Sequence, residues 1–295
     1  MRLKITLLFM LLFTIRISAM DFVYYNVAYN LLGSVYECEV TYLDRTPSKN
    51  EYYVRGNLVI PSQVKYIKNR KTYTPTVKRI GQFAFSNCSQ MTSVELPSSI
   101  TTIEWNAFEK CTGLKSITVP SNVSFVATQA FSDCTNLHEA FIDASVHDEV
   151  FLNCVNLEFV EFGSSTNYVL KNCFTNCPAL KYISVNREIP PSTDGDFFRN
   201  MSAIYGGSEI DYSRYEEVIL YVPVGCIDVY RQSEYWNKFK TILEKDFSGI
   251  EDVFTDKTSP ALIYYDLNGN SSNKPFKGIN ILLDNSNRYK KIYIP

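Results

Sequence analysis

An α/β repeat solenoid with coils of about 23 residues is the fold class this sequence predicts, and three observations predict it. First, Cys88, Cys111, Cys134, Cys154 and Cys177 follow one another at 23, 23, 20 and 23 residues, each three residues after a Phe (Phe85, Phe108, Phe131, Phe151, Phe174). Second, three further positions stay apolar in every unit: Met91, Leu114, Leu137, Leu157, Leu180; then Val94, Ile117, Ala140, Val160, Ile183; then Leu96, Val119, Ile142, Phe162, Val185. Third, the stretch 94–96 and its equivalents alternates inward apolar with outward residues, the pattern of a short strand, and Pro97 and Pro120 end it. One coil buries about four or five apolar side chains at roughly 1.5–3 kcal/mol each, whereas ordering the backbone costs on the order of 1–2 kcal/mol per residue. No coil is stable alone, so the array needs neighbours and a cap at each end.

The elements follow in chain order. Met1–Lys4 carry two positive charges, and Ile5–Ile15 form an uncharged apolar run too short for a transmembrane helix, which needs about 20 residues. With Ile17-Ser18-Ala19 behind it, this reads as a secretory signal over 1–19, cut after Ala19. Removing it takes the formal charge from −2 to −5, with no membrane span left in the mature chain. Residues 20–61 read as a β-rich N-terminal cap that includes the strand Asn57–Pro61, and 62–247 as the solenoid. Val77–Ile80 aligns with Ile100–Ile103, so 62–76 are expected to form an inserted hairpin. The segment ahead of each Phe, such as 102–108, reads as a turn with a short helical or irregular return.

With these positions in hand, the coils resemble the leucine-rich repeat of the bacterial surface-antigen (BspA-like) type, its pattern being carried most closely by Phe85-Ser86-Asn87-Cys88 and Phe131-Ser132-Asp133-Cys134. The resemblance covers about residues 21–245 and implies a right-handed solenoid of six or seven coils. In the same terms, Ile219–Pro223 and Tyr235–Phe239 look like a closing coil and a helical C-terminal cap. The coil between Cys134 and Cys154 has lost three residues near Asp143–Glu149, and 199–216 read as a loop. Residues 248–295 read as a small β-rich tail with strands at 261–265, 278–283 and 291–294 and an Asn268-Gly269 turn. That tail resembles the C-terminal sorting domains of proteins exported across the outer membrane of Bacteroidetes-type bacteria, with Asn270 where the usual residue is basic.

Composition narrows the function classes. The balance of 29 basic against 31 acidic residues offers no footprint for a nucleic-acid backbone. Two His, and no glycine-rich phosphate loop, leave no catalytic residues to nominate, so no enzyme, cofactor or metal site is expected. Successive coils stack at about 4.8 Å, a distance that does not exclude disulfides. The ladder members Cys88, Cys111, Cys134, Cys154 and Cys177 cannot all pair with one another, however, and free buried thiols are the expected state. Cys173 replaces the Ala of other coils, and Cys38 and Cys226 lie in the two caps. His138 reads as a solvated strand residue, and His147-Asp148-Glu149 as surface chemistry. Asp266–Asn270 lacks the glycine and glutamate of an EF-hand loop. Lys65, Lys68, Arg70 and Lys71 read as a solvated basic hairpin.

The candidate site is the outward strand face. Alternation points Phe141, Phe159 and Tyr182 outward from three consecutive coils, so they should form one exposed aromatic patch flanked by Glu139, Glu158 and Glu161. The expectation is an exported, non-enzymatic interaction protein, monomeric or weakly oligomeric. By resemblance it would be a cell-surface adhesin-like binder of protein or glycan; the alternative is a periplasmic or outer-membrane-associated accessory.

Overall fold

The computed structural model describes residues 22–24, 27–42, 54–199, 210–248 and, by backbone, four tail strands between 263 and 294. The signal segment 1–19, the Asn268-Gly269 turn and Asp266–Asn270 lie outside the described residues. In chain order the strands begin with β1 (Phe22–Tyr24), β2 (Val27–Leu31), β3 (Glu37–Thr41) and β4 (Gly56–Val59), followed by β5 (Tyr66–Lys68) and β6 (Lys71–Tyr73). Long and short strands then alternate through β7 (Thr76–Ile80), β8 (Met91–Glu95), β9 (Thr102–Ile103), β10 (Ser116–Val119), β11 (Phe125–Val126), β12 (Glu139–Ile142) and β13 (Ser145–Val146). The array ends in β14 (Phe159–Phe162), β15 (Tyr182–Val185), helix α1 (Tyr212–Glu217), β16 (Ile219–Pro223), helix α2 (Ile227–Gln232) and β17 (Thr241–Lys245).

Two sheets run along the array. The first holds the repeat strands in the order β10-β12-β14-β15-β16-β17, with β4-β8 as a separate pair at the N-terminal end. Neighbours from β10 to β16 are parallel and in register, Ile117 beside Ala140, Ala140 beside Val160 and Val160 beside Ile183. The second sheet, β1-β2-β3-β7-β9-β11-β13, corrects the expectation of helical or irregular returns: three successive returns carry the two-residue parallel strands β9, β11 and β13, and the next, at Tyr168 and Val169, makes isolated parallel bridges. The reason lies in Ile103, Val126 and Val146, buried β-branched residues stacked one per coil, which favour an extended backbone. The first three strands of the expected N-terminal cap join this second sheet, β1, β2 and β3 being antiparallel and β3 pairing in parallel with β7, while its last strand, β4, pairs with β8.

Between the sheets, the repeated Phe residues stack as a ladder. Ring centroids from Phe85 through Phe108, Phe131, Phe151 and Phe174 to Phe198 are 5.2, 5.2, 5.9, 6.0 and 5.9 Å apart. Each Phe sits between two left-handed residues: φ is 55° at Asn106 and 57° at Lys110, 58° at Gln129 and 56° at Asp133, 58° at Glu149 and 61° at Asn153. Two such residues curl the chain tightly around the ring, and Asn and Asp, which tolerate this region best, fill most of the positions. The amides so exposed bond forward to the next coil, Phe108 N donating to Ala130 O at 2.8 Å and Phe131 N to Val150 O at 3.0 Å.

The cysteines bond back. Cys111 Sγ donates to Phe85 O, Cys134 to Phe108 O, Cys154 to Phe131 O and Cys177 to Phe151 O, each at 3.1 Å. All eight cysteines are buried, and none is in a disulfide. Burial raises Cys134, Cys177 and Cys38 to about 12 and pushes Cys154 and Cys173 well up too.

The shortened coil is closed at Asp143-Ala144. The return strand keeps its register, Phe125 beside Ser145, and Ser145 precedes Phe151 by six residues just as Phe125 precedes Phe131. The three missing residues therefore fall between Ile142 and Ser145. Asp143 Oδ1 accepts from Ser165 N at 2.7 Å, and a Cβ on Gly163 would lie 2.2 Å from that oxygen, so the position needs glycine.

At the C-terminal end the segment read as a loop over 199–216 carries α1, because Tyr215 turns inward to pack on Phe198 at 4.8 Å and Phe239 at 5.1 Å, with its hydroxyl accepting from Phe197 N. Residues 200–209 of that segment lie outside the described residues. The expected helical cap lies at α2, upstream of 235–239, where Trp236–Lys238 make one 3₁₀ turn. Trp236 is buried and donates from Nε1 to Pro191 O at 2.8 Å. The chain divides into two compact units, the first holding residues 1–222 and 226–243 and the second 223–225 and 244–295. In the second unit, β18 (Ile263–Tyr265), β19 (Ser271–Ser272), β20 (Gly278–Leu283) and β21 (Tyr289–Ile294) form an antiparallel sheet in the order β19-β18-β20-β21.

Candidate functional site: the outward strand face

Because inward residues alternate with outward ones, each repeat strand contributes two outward positions, and register lines these up in two rows. One row runs Ser116, Glu139, Phe159, Tyr182 and Ile219; the other runs Thr118, Phe141, Glu161, Ser184 and Tyr221. Phe141 and Tyr182 are exposed, at 36% and 38%, while Phe159 between them is half-buried, where the alternation alone predicts full exposure. Its ring meets Phe141 edge to face at 5.6 Å, which covers part of it. Across the next diagonal Tyr182 and Tyr221 lie 6.1 Å apart. Tyr221 thus extends the set to four rings. The alternation in Ile219–Pro223 could have found it, but 37 residues separate Tyr182 from Ile219, so the 23-residue spacing does not point there.

The acidic flank is uneven. Glu139 is half-buried, and burial raises its carboxyl, opposed by His138 and aided by Glu158. Glu158 pairs with Lys181 at 2.7 Å, both largely exposed, so its charge is already balanced. His138 Nδ1 lies 2.7 Å from Asn136 O, held at the strand entrance as a local contact. Ser184, although on an outward position, is buried, so the row is interrupted there.

The remaining sequence candidates do not converge. His147 sits between Phe125 and Tyr168 at 5.2 and 5.5 Å, with Nε2 3.1 Å from the Tyr168 hydroxyl. Glu149 Oε2 accepts from Gln129 Nε2, while Asp148 is raised by burial and by Asp194. Among the described residues no group of three His, Cys, Asp or Glu could hold a metal ion, and no helix is long and apolar enough to cross a membrane. The basic insertion is the expected hairpin: Asn69 and Arg70 at φ 51° and 59° make the primed turn that suits a two-residue loop, and Lys71 Nζ lies 5.2 Å over Tyr73.

A sequence model of the BspA type leucine rich repeat region matches residues 69–181 in six copies. No curated protein matches the chain. Among solved structures it is similar to a T. pallidum leucine-rich repeat protein (24% identity, 53% of this chain and 67% of that one, TM-score 0.44). A leucine rich cell surface protein from Faecalibacterium prausnitzii also matches (19% identity, 86% of this chain and 60% of that one, TM-score 0.46). So does a leucine-rich repeat protein from Bacteroides ovatus (17% identity, 76% of each chain, TM-score 0.29). The chain thus spans about 60% of the length of the F. prausnitzii protein it matches.

Proposed function

Residues 69–181 match the BspA type leucine rich repeat region, and from that match we infer that the chain is an exported interaction protein that binds a partner through its outward strand face. A repeat region of this kind suggests protein interaction, carried out here by binding and not by catalysis. The supporting observation is the cluster Phe141, Phe159, Tyr182 and Tyr221, four aromatic side chains on adjoining strands with Phe141 and Tyr182 exposed. Aromatic side chains are enriched in protein interfaces, and a large apolar patch is uncommon on a surface without a partner. The F. prausnitzii protein is described as a cell surface protein, and the apolar N-terminal run of this chain is consistent with the same destination. In this reading the β-rich tail serves sorting.

Two measurements test it. Protease treatment of intact cells should release solenoid peptides, and mass spectrometry should find Met20 as the mature N-terminus and report whether the tail has been removed. The purified triple variant Phe141→Ala, Phe159→Ala, Tyr182→Ala should lose adhesion to the surfaces that the wild type binds, with its circular dichroism unchanged. Protection of the chain until the outer membrane is broken would reassign it to a periplasmic accessory role. Unchanged adhesion in the variant would remove the strand face from the function.

A further inference from the structure

We propose that the inserted hairpin β5-β6 is a second binding site, apart from the strand face, and that it takes a linear acidic polysaccharide. The crossing from a repeat strand to its return strand uses residues 96–101 between β8 and β9, 120–124 between β10 and β11, and 143–144 between β12 and β13. Between β4 and β7 it uses residues 60–75, and the extra length goes into β5 and β6, which pair with each other as a separate two-stranded sheet. Such a ribbon is marginally stable by itself in water, and the shorter crossings show that the coil does not need one.

Its charges point to an anion. Residues 52–94 hold seven of the chain's 29 basic residues and none of its 31 acidic ones. Lys65, Lys68, Arg70 and Lys71 are all exposed, and among the described residues none of them is in an ion pair. Lys68 and Lys71 are register partners, which sets their Cβ atoms about 5 Å apart on one face, and like charges directly opposite destabilise a strand pair. Lys71 Nζ lies 5.2 Å over the Tyr73 ring, on that same face. Arg70 has φ 59° at a turn position where glycine is the favoured residue, so its long side chain is held there against backbone strain. Both features weaken the ribbon, and both gather cations at its tip. An anion seated among them relieves the repulsion.

The arrangement favours a charged polymer over a charged bilayer. An oxyanion with several acceptor oxygens can bridge two ammonium groups and accept from a guanidinium fork. Lys68, Arg70 and Lys71 lie within four residues, with Lys65 behind them, so a chain whose charges repeat along its length meets them together and gains from multivalency. Anchoring at a bilayer surface needs an apolar face beside the charges. Ile67, 61% exposed, is the single exposed large apolar side chain between residues 62 and 76, and it sits behind a tip made of Asn69 and Arg70. The remainder of the chain is acidic, which turns a polyanion toward the hairpin at low ionic strength.

The test titrates the full-length protein into a fluorescein-labelled heparin oligosaccharide, read by polarisation, with labelled dextran as the neutral comparison. Heparin should bind and dextran should not, and binding should weaken as salt rises from about 0.05 to about 0.5 M. The double variant Lys68→Gln, Lys71→Gln should weaken it about tenfold or more, whereas Lys110→Gln, Lys115→Gln, on regular coils, should leave it unchanged. Arg70→Gly should also weaken binding while raising the urea midpoint, because glycine suits the turn. Absence of heparin binding, equal losses in the two double variants, or a midpoint that falls together with affinity in Arg70→Gly would overturn the proposal. So would heparin affinity that survives the hairpin substitutions while sedimentation with phosphatidylglycerol vesicles is lost, which would make the hairpin a lipid contact. Loss of heparin binding in the triple alanine variant of the strand face would likewise overturn it, by placing the polyanion on that face.

Discussion

At the scale of single residues, the recurring Cys is a packing and bonding device. A Leu there would fill the space but leave the Phe carbonyl of the preceding coil without its thiol partner, and a Ser would place a more strongly hydrated group at a fully buried position. The thiols also tie stability to pH. Cys38, Cys134 and Cys177 are raised to about 12, and Cys154 and Cys173 are raised by the same burial, so the folded protein holds these protons while the unfolded chain releases them near pH 8.5–9. The thiol contribution is therefore complete below about pH 8.5 and is lost as pH rises, by about 1.4 kcal/mol per pH unit for each thiol. Thermal unfolding followed from pH 7 to above pH 10 should show a flat Tm and then a steep fall. A Tm that stays level through that range would show that these thiols are not held as neutral groups.

At the scale of the element, the unit is the Phe turn with its two left-handed residues. Asn and Asp occupy six of the ten such positions between 83 and 176, and Phe83 is the most costly occupant, at φ 54° with an exposed ring. A bulky side chain in this region costs roughly 1–2 kcal/mol relative to a right-handed conformation. Phe83→Asn, which sacrifices little burial, should therefore stabilise the protein by about 1 kcal/mol, measured as a higher urea midpoint at unchanged slope. A lower midpoint would mean that the Phe83 ring contributes more through packing than its backbone costs. The positions of Phe and Cys were legible from spacing alone, and so was the inward row of each strand. The second sheet was not. A two-residue strand has no measurable period, and Thr102-Ile103 or Ser145-Val146 become strands only because equivalent residues in adjoining coils supply the hydrogen-bond partners.

At the scale of the whole array, each coil meets only its neighbours, and cooperativity must be relayed along the ring ladder and the forward amide bonds. The two tryptophans permit a direct test, since Trp236 is buried in the closing cap and Trp105 is exposed. Phe108→Ala, in a coil far from Trp236 in sequence, should cost about 3–5 kcal/mol. If the array folds as one unit, the Trp236 fluorescence midpoint and the circular dichroism midpoint should fall together. A Trp236 transition that remains at its wild-type midpoint would show that the coils near the cap fold without those near Phe108.

The sequence by itself determined the repeat, its register and which side of each repeat strand from β10 to β15 faces the core, because a stacked array uses the same residue at the same place in each coil and so writes its geometry as a spacing. It also placed Phe141, Phe159 and Tyr182 on one face. Tertiary structure alone decided that Phe159 is half-covered by its neighbour, that Tyr221 joins the set from beyond a 37-residue interval, and that Glu158 is balanced by Lys181 while Glu139 lies half-buried beside a ring. Those are facts about diagonals and ion pairs between strands. Such contacts depend on the rotamers and lateral packing of side chains brought together by stacking, and no period along a single chain encodes them.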